Sequence, residues 1–134
     1  MSARVAFITG AGNGIGAGLA LRLGEMGYRV ALVDVDHDAA KRVAAEIGDS
    51  ALALGADITD MASLESAVDT TVQKLGGIDV AVANAGFATA GTLRHLDLDA
   101  FDAQIRVNLG GTYRTVRASL PALEESRGYL VLIA

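Results

Sequence analysis

At 134 residues, 51% of them hydrophobic, the chain is long enough to bury one core and too short for two. Its formal charge of −5, with Lys41 and Lys74 its only lysines, leaves no basic cluster and argues against nucleic acid as a partner. Without cysteine there is neither a disulfide framework nor a thiolate metal site; no apolar run reaches membrane-spanning length, and Met1-Ser2-Ala3-Arg4 lacks a secretory pattern, so a cytoplasmic protein with no metal is expected.

In chain order, the first apolar run, Arg4–Thr9, ends at glycines and suits a buried parallel strand. A helix follows with Ile15, Leu19, Leu23 and Met26 at helical spacing, closed by Gly27. Arg29–Val33 reads as the second strand. The next helix is expected from about His37 to Ile47, capped by Asp36 and stopped by Gly48. Ala51–Ala56 is a third, weaker strand. Asp60 caps a helix carrying Leu64, Val68, Val72 and Leu75 and ended by Gly76-Gly77, after which Ile78–Ala83 is the fourth strand. A loop rich in Gly, Ala and Thr spans Gly86 to Leu93. A long helix is expected from about Asp99 to Glu125, with Phe101, Ile105, Leu109, Tyr113, Val116 and Leu120 on one stripe and Pro121 placed to kink or shorten it. Tyr129–Ala134 is the fifth strand. This alternation predicts an α/β fold: a doubly wound, Rossmann-type parallel sheet in the order 3-2-1-4-5 with helices on both faces.

The strongest chemical signal is Thr9-Gly10-Ala11-Gly12-Asn13-Gly14-Ile15-Gly16, directly after the first strand and opening the first helix. Glycines there serve a tight turn, a close approach of backbone to a pyrophosphate, and close packing of helix on sheet. The free N–H groups of that turn and the helix dipole would face phosphates. Asp34, at the tip of the second strand, suits hydrogen bonds from both adenosine ribose hydroxyls and would repel a 2′-phosphate. No Arg or Lys stands beside it, since Val35 and Asp36 follow, which favours NAD over NADP.

The spacing Thr-Gly-x-x-x-Gly-x-Gly, with Gly10, Gly14 and Gly16 as its glycines, resembles the short-chain dehydrogenase/reductase family. Asp57-Ile58 after the third strand, Asn84-Ala85-Gly86 after the fourth, and Asn108 in Val107-Asn108-Leu109 match further family segments in the right order. The resemblance implies that Asp57 and Ile58 touch the adenine, and that Asn84, Ala85 and Gly86 support the sheet and lie against the cofactor ribose. It implies that Asn108 holds a water in the proton relay. The neighbouring Gly110-Gly111 weakens helix and could accommodate a local distortion there. The resemblance further implies hydride transfer between nicotinamide and an alcohol or carbonyl substrate, and a homo-oligomer, dimer or tetramer, in the full-length protein.

The family's Ser after the fifth strand and its Tyr-x-x-x-Lys find no counterpart in these residues. Tyr113-x-x-x-Arg117 lies on the wrong helix, and Arg cannot readily titrate. The chain also stops inside an apolar strand with no polar tail. Residues 1–134 are therefore expected to form an incomplete NAD-binding domain whose catalytic C-terminal part is absent, inactive alone. A non-catalytic dinucleotide-binding module remains the alternative. An epimerase-like spacing does not fit the glycines, and a methyltransferase would place an acid where Thr9 stands. His37 and His95 have no ligand-type neighbours at useful spacing, and Asp97, Asp99 and Asp102 suit a helix start.

Overall fold

A computed structural model describes residues 2–134. The strands are β1 (Val5–Thr9), β2 (Arg29–Asp34), β3 (Ala51–Gly55), β4 (Val80–Ala83) and β5 (Tyr129–Leu132). They form one parallel sheet in the order β3-β2-β1-β4-β5. The helices are α1 (Gly14–Glu25), α2 (His37–Ile47), α3 (Met61–Leu75), α4 (Leu98–Gln104) and α5 (Thr112–Ser126), with a π-helical stretch, Ile105–Gly111, joining α4 to α5. The expected architecture and strand order are those observed.

Every residue of β1 is buried, because a central parallel strand is covered on both faces. Phe7, Val5, Ala31 and Val33 point to one side, where Leu64, Val68 and Leu75 of α3 and Ala118 and Leu123 of α5 meet them. Ala6, Ile8, Val30 and Leu32 point to the other, against Ala20 of α1 and Ala40 and Val43 of α2. The period-two alternation thus feeds two cores, one on each face. β5 is an edge strand whose residues are all exposed.

The strand ends shift by a residue or two. Ile78 is buried but lies before β4, where the Asp79 carboxylate accepts from the Val5 N–H at 2.7 Å and the Asp79 N–H donates to the Val5 carbonyl at 2.8 Å. Gly27, two residues past the end of α1, has φ +87°, as a helix-stopping glycine should. The α1 stripe needs correction. Leu19 and Leu23 pack partly buried against the core, but Ile15 (68% exposed) and Met26 lie open, and the fully buried positions of α1 are Gly16 and Ala20. Small residues let this helix sit close to the sheet.

The long helix spans its expected range, from Leu98 to Ser126 through α4, the π-helical stretch and α5. It widens into π geometry at Ile105–Gly111, around the Gly110-Gly111 pair. Its large apolar residues, Phe101, Ile105, Leu109, Tyr113 and Leu120, are exposed. The face against the sheet carries Gly111, Thr115, Ala118, Ser119 and Leu123 instead. The hydroxyls of Thr115 and Ser119 donate to the carbonyls of Gly111 and Thr115, so neither is left unpaired in the core. Pro121 does not end α5, which continues to Ser126. It sits on the exposed side, where water can take the carbonyl it frees.

Candidate functional site

The chain passes from β1 to β2 through α1 on one face, and from β3 to β4 through α3 on the other. Such a reversal opens a crevice at the carboxyl ends of the strands. A cleft of about 510 Å³ lies there. Gly10, Asn13, Ile15, Asp34, Asp57, Ile58, Asn84, Ala85 and Gly86 all line it. Val35, Phe87, Val107 and Ile133, for which the sequence indicated no site role, line it as well. Gly14, Gly16 and Asn108 stand outside the lining, and Gly16 and Asn108 act on residues within it.

The floor is the first turn. Gly10 and Gly14 have φ +65° and +55°, which L side chains rarely adopt. A Cβ on Gly10 would stand 2.8 Å from Ala85 Cα, whereas one on Gly14 would meet nothing. A Cβ on Gly16 would run into the Gly10 carbonyl and the Asn84 amide. Gly16 therefore lets α1 pack against the turn, and Gly14 leaves the turn open. Three other helices differ from α1 at their starts: Asp36, Asp60 and Asp97 cap α2, α3 and α4 by accepting from Ala39, Ala62 and Ala100 N–H. Asn13 gives α1 no side-chain cap, and its first turn has no acid. Donors that a cap would normally satisfy are left facing the cleft mouth.

Thr9 fastens this floor to the next strand. Its buried hydroxyl accepts from the Asn84 N–H at 3.0 Å and the Ala85 N–H at 3.1 Å, and donates to the Val82 carbonyl at 3.4 Å. The Asn84 side-chain amide donates back to the carbonyls of Thr9 and Gly10, at 3.1 and 3.3 Å. Asn84 is thus a clasp between the ends of β1 and β4.

Asp34 is anchored at both oxygens. Oδ2 accepts from the Gly12 N–H at 2.8 Å and Oδ1 from the Asp36 N–H at 2.9 Å. Gly12 is a residue whose role the sequence did not reveal. A Cβ there would stand 2.8 Å from both Asp34 Oδ2 and Ala39 Cβ. The signal was present as an extra glycine in the motif, but its partner lies far along the chain.

Farther along the cleft, Asp57 Oδ1 accepts from the Thr59 N–H at 2.9 Å and the Thr59 hydroxyl at 2.7 Å. These bonds, with the Arg106 charge nearby, hold the Asp57 carboxyl below its ordinary range. A depressed carboxylate contributes stability above its unfolded pKa and loses it as pH falls through its folded one. Thr59→Val is therefore expected to reduce the drop in stability between neutral pH and pH about 3, measured by urea unfolding. An unchanged drop would show that the hydroxyl contributes nothing.

Asn108 lies on the π-helical stretch, as the glycine pair beside it suggested. It does not enter the cleft. Its Oδ1 accepts from the Phe87 N–H at 2.9 Å and its Nδ2 donates to the Phe87 carbonyl at 2.7 Å. Gly111, on the same stretch, is pressed against Ile58, and a Cβ there would overlap the Ile58 side chain. The remaining candidates play local parts. His37 Nε2 pairs with the Ala53 carbonyl and His95 Nδ1 with the Thr92 hydroxyl. Tyr113 Oη accepts from Arg117 at 2.9 Å on the exposed helix face.

A doubly wound sheet with a glycine turn, a strand-end carboxylate and an Asn clasp around one crevice defines a dinucleotide-fold protein. Residues 4–134 match the short chain dehydrogenase family, and the chain belongs to that family. It is 34% identical over 133 residues to an uncharacterized oxidoreductase of Staphylococcus aureus (strain MW2), covering 98% of this chain and 58% of the relative. A similar protein of Staphylococcus saprophyticus is 35% identical over 136 residues with the same coverage. Among solved structures, a 3-ketoacyl-(acyl-carrier-protein) reductase from Brucella melitensis complexed with NADH has a TM-score of 0.88 at 40% identity, covering 92% of this chain and 52% of that one. An alcohol dehydrogenase from Thermococcus sibiricus complexed with 5-hydroxy-NADP has a TM-score of 0.92 at 32% identity, covering 98% and 57%. The chain thus spans a little over half the length of the relatives it matches.

Proposed function

We propose that this chain is the cofactor-binding part of an NAD-dependent oxidoreductase that moves a hydride between nicotinamide and a small alcohol or carbonyl substrate. One observation carries the reading: the uncapped start of α1 and the Asp34 carboxylate open onto the same cleft. The amides of Gly14, Ile15 and Gly16 would hold the diphosphate, since a helix start with neither cap nor acid is suited to an anion. Asp34, fixed by Gly12 and Asp36, would accept from the ribose hydroxyls. Asp57 Oδ2 accepts no hydrogen bond among the described residues, and Asp57 with Ile58 would flank the adenine. Asn84, Ala85 and Gly86 would border the second ribose. Asn108 would act through Phe87 and, with its main chain, on the proton relay.

Bound in this way, a nicotinamide dinucleotide supplies or accepts the hydride. The solved relatives hold NADH in one case and 5-hydroxy-NADP in the other, so the choice of NAD rests on this chain's own residues. Asp34 opposes a 2′-phosphate, and neither Val35 nor Asp36 offsets it. No Tyr-x-x-x-Lys occurs in the 134 residues, and we expect no turnover from this chain alone. The exposed stripe of Phe101, Ile105, Leu109, Tyr113 and Leu120 supports self-association of the full-length protein. Among the described residues no helix is long and apolar enough to cross a membrane, and a cytoplasmic location is our proposal from composition.

Fluorescence titration of the chain with NADH and NADPH tests the reading. NADH is expected to bind at least about tenfold more tightly, given the repulsion between a carboxylate and a 2′-phosphate at contact distance. Tighter binding of NADPH would overturn the role of Asp34.

A further inference from the structure

The loop between β4 and α4 is fastened to the helix by more than Asn108. Gln104 stands one helical turn before Asn108, and its Oε1 accepts from the Thr89 N–H at 3.0 Å. Its Nε2 donates to the Ala100 carbonyl at 3.3 Å, which aims the carbonyl end of the amide at the loop. Phe87 and Thr89 are two residues apart, and the loop runs opposite to the helix. Two carboxamides on the helix therefore reach two successive same-side positions of the loop backbone. The result is a short amide ladder, with the Phe87 N–H and carbonyl on Asn108 and the Thr89 N–H on Gln104.

Phe87 lines the cleft and Thr89 does not. The loop leaves β4, so this wall stands at the end of the cleft farther from Asp34. We propose that Gln104 is a positioning residue: by holding Thr89 it fixes how Phe87 enters the cleft, and so shapes the wall against which the nicotinamide half of the cofactor lies. The proposal rests on the dinucleotide reading above. With a single pin at Asn108 the segment could pivot about Phe87; the second pin at Thr89 removes that freedom. Neither glutamine atom needs to touch cofactor.

The test compares NADH with ADP-ribose, which lacks the nicotinamide ring, on the unaltered chain and on Gln104→Met and Gln104→Glu. Methionine keeps the length and helix preference of glutamine but accepts no comparable hydrogen bond. Gln104→Met is expected to bind NADH about fivefold more weakly, the worth of one neutral hydrogen bond, with ADP-ribose binding unchanged. Gln104→Glu keeps an acceptor for Thr89 and is expected to retain NADH binding. Amide exchange at Thr89 should quicken in Gln104→Met while Phe87 stays protected. Unchanged NADH binding by Gln104→Met, or equal weakening of both ligands, would overturn the positioning role. If the unaltered chain failed to bind ADP-ribose, the dinucleotide reading would fall first, and this proposal with it.

Discussion

Asp34→Ala is expected to weaken NADH binding by at least about tenfold, because hydrogen bonds to a charged acceptor contribute about 1.5–3 kcal/mol each. NADPH should lose little or gain, since the carboxylate that repels a 2′-phosphate has gone. The folded chain should tolerate the change. Asp34 is half-buried at a strand end, and water can replace it as partner to the Asp36 N–H. The Gly12 N–H also loses an acceptor, so part of the effect will come from a looser turn. Asp34→Asn separates the two contributions, because its carbonyl oxygen can still accept from one amide while the charge is removed. Isothermal titration with both cofactors reads the result. If Asp34→Ala kept the NADH preference of the unaltered chain, discrimination would have to come from elsewhere in the cleft.

Thr9→Val should be the more damaging change to the fold. The two side chains have nearly the same shape, but valine cannot accept from the Asn84 and Ala85 amides. Thr9 is 1% exposed, so water has little access to replace its hydroxyl. Leaving a buried donor unsatisfied costs about 1–3 kcal/mol; two are affected, and because both bonds are part-buried the expected loss in urea unfolding lies in the lower part of the doubled range, about 2–4 kcal/mol. Thr9→Ser keeps the hydroxyl and should lose much less. The ends of β1 and β4 would also part in Thr9→Val, so cofactor binding should weaken beyond what the stability loss explains. A Thr9→Val protein as stable as Thr9→Ser would mean that the hydroxyl is not the clasp.

The strands and three of the helix starts were legible because their causes are local. Asp36 and Asp60 were identified as caps, and Asp97 among the acids at a helix start, since a cap acts on amides a few residues away. The cleft was legible where family segments and strand ends coincide, at Gly10, Asp34, Asp57 and Asn84. What could not be read depended on neighbours distant in sequence. Gly12 looks like any loop glycine until Asp34 is placed beside it. Phe87, Val107 and Ile133 belong to the cleft only through the way their elements fold over it. The long helix was legible in its extent but not in the makeup of its buried face. Its bulky apolar residues recur at helical spacing, which normally marks the buried face. Here the buried face is built of Gly111, Thr115, Ala118 and Ser119, whose small size permits close approach to Ile58 and the sheet. Periodicity detects a stripe and says nothing of which side of it a neighbour occupies.

The widened stretch at Ile105–Gly111 can be viewed as an α-helix with one residue too many. Deleting a single residue there would restore ordinary winding and give a more regular rod. It would also change the direction of the side chains inside the stretch, because a π turn and an α turn space them differently around the axis. The side chain now at 108 would then swing off the backbone it grips. Regularity and fastening are in conflict at this point, and the protein keeps the surplus residue.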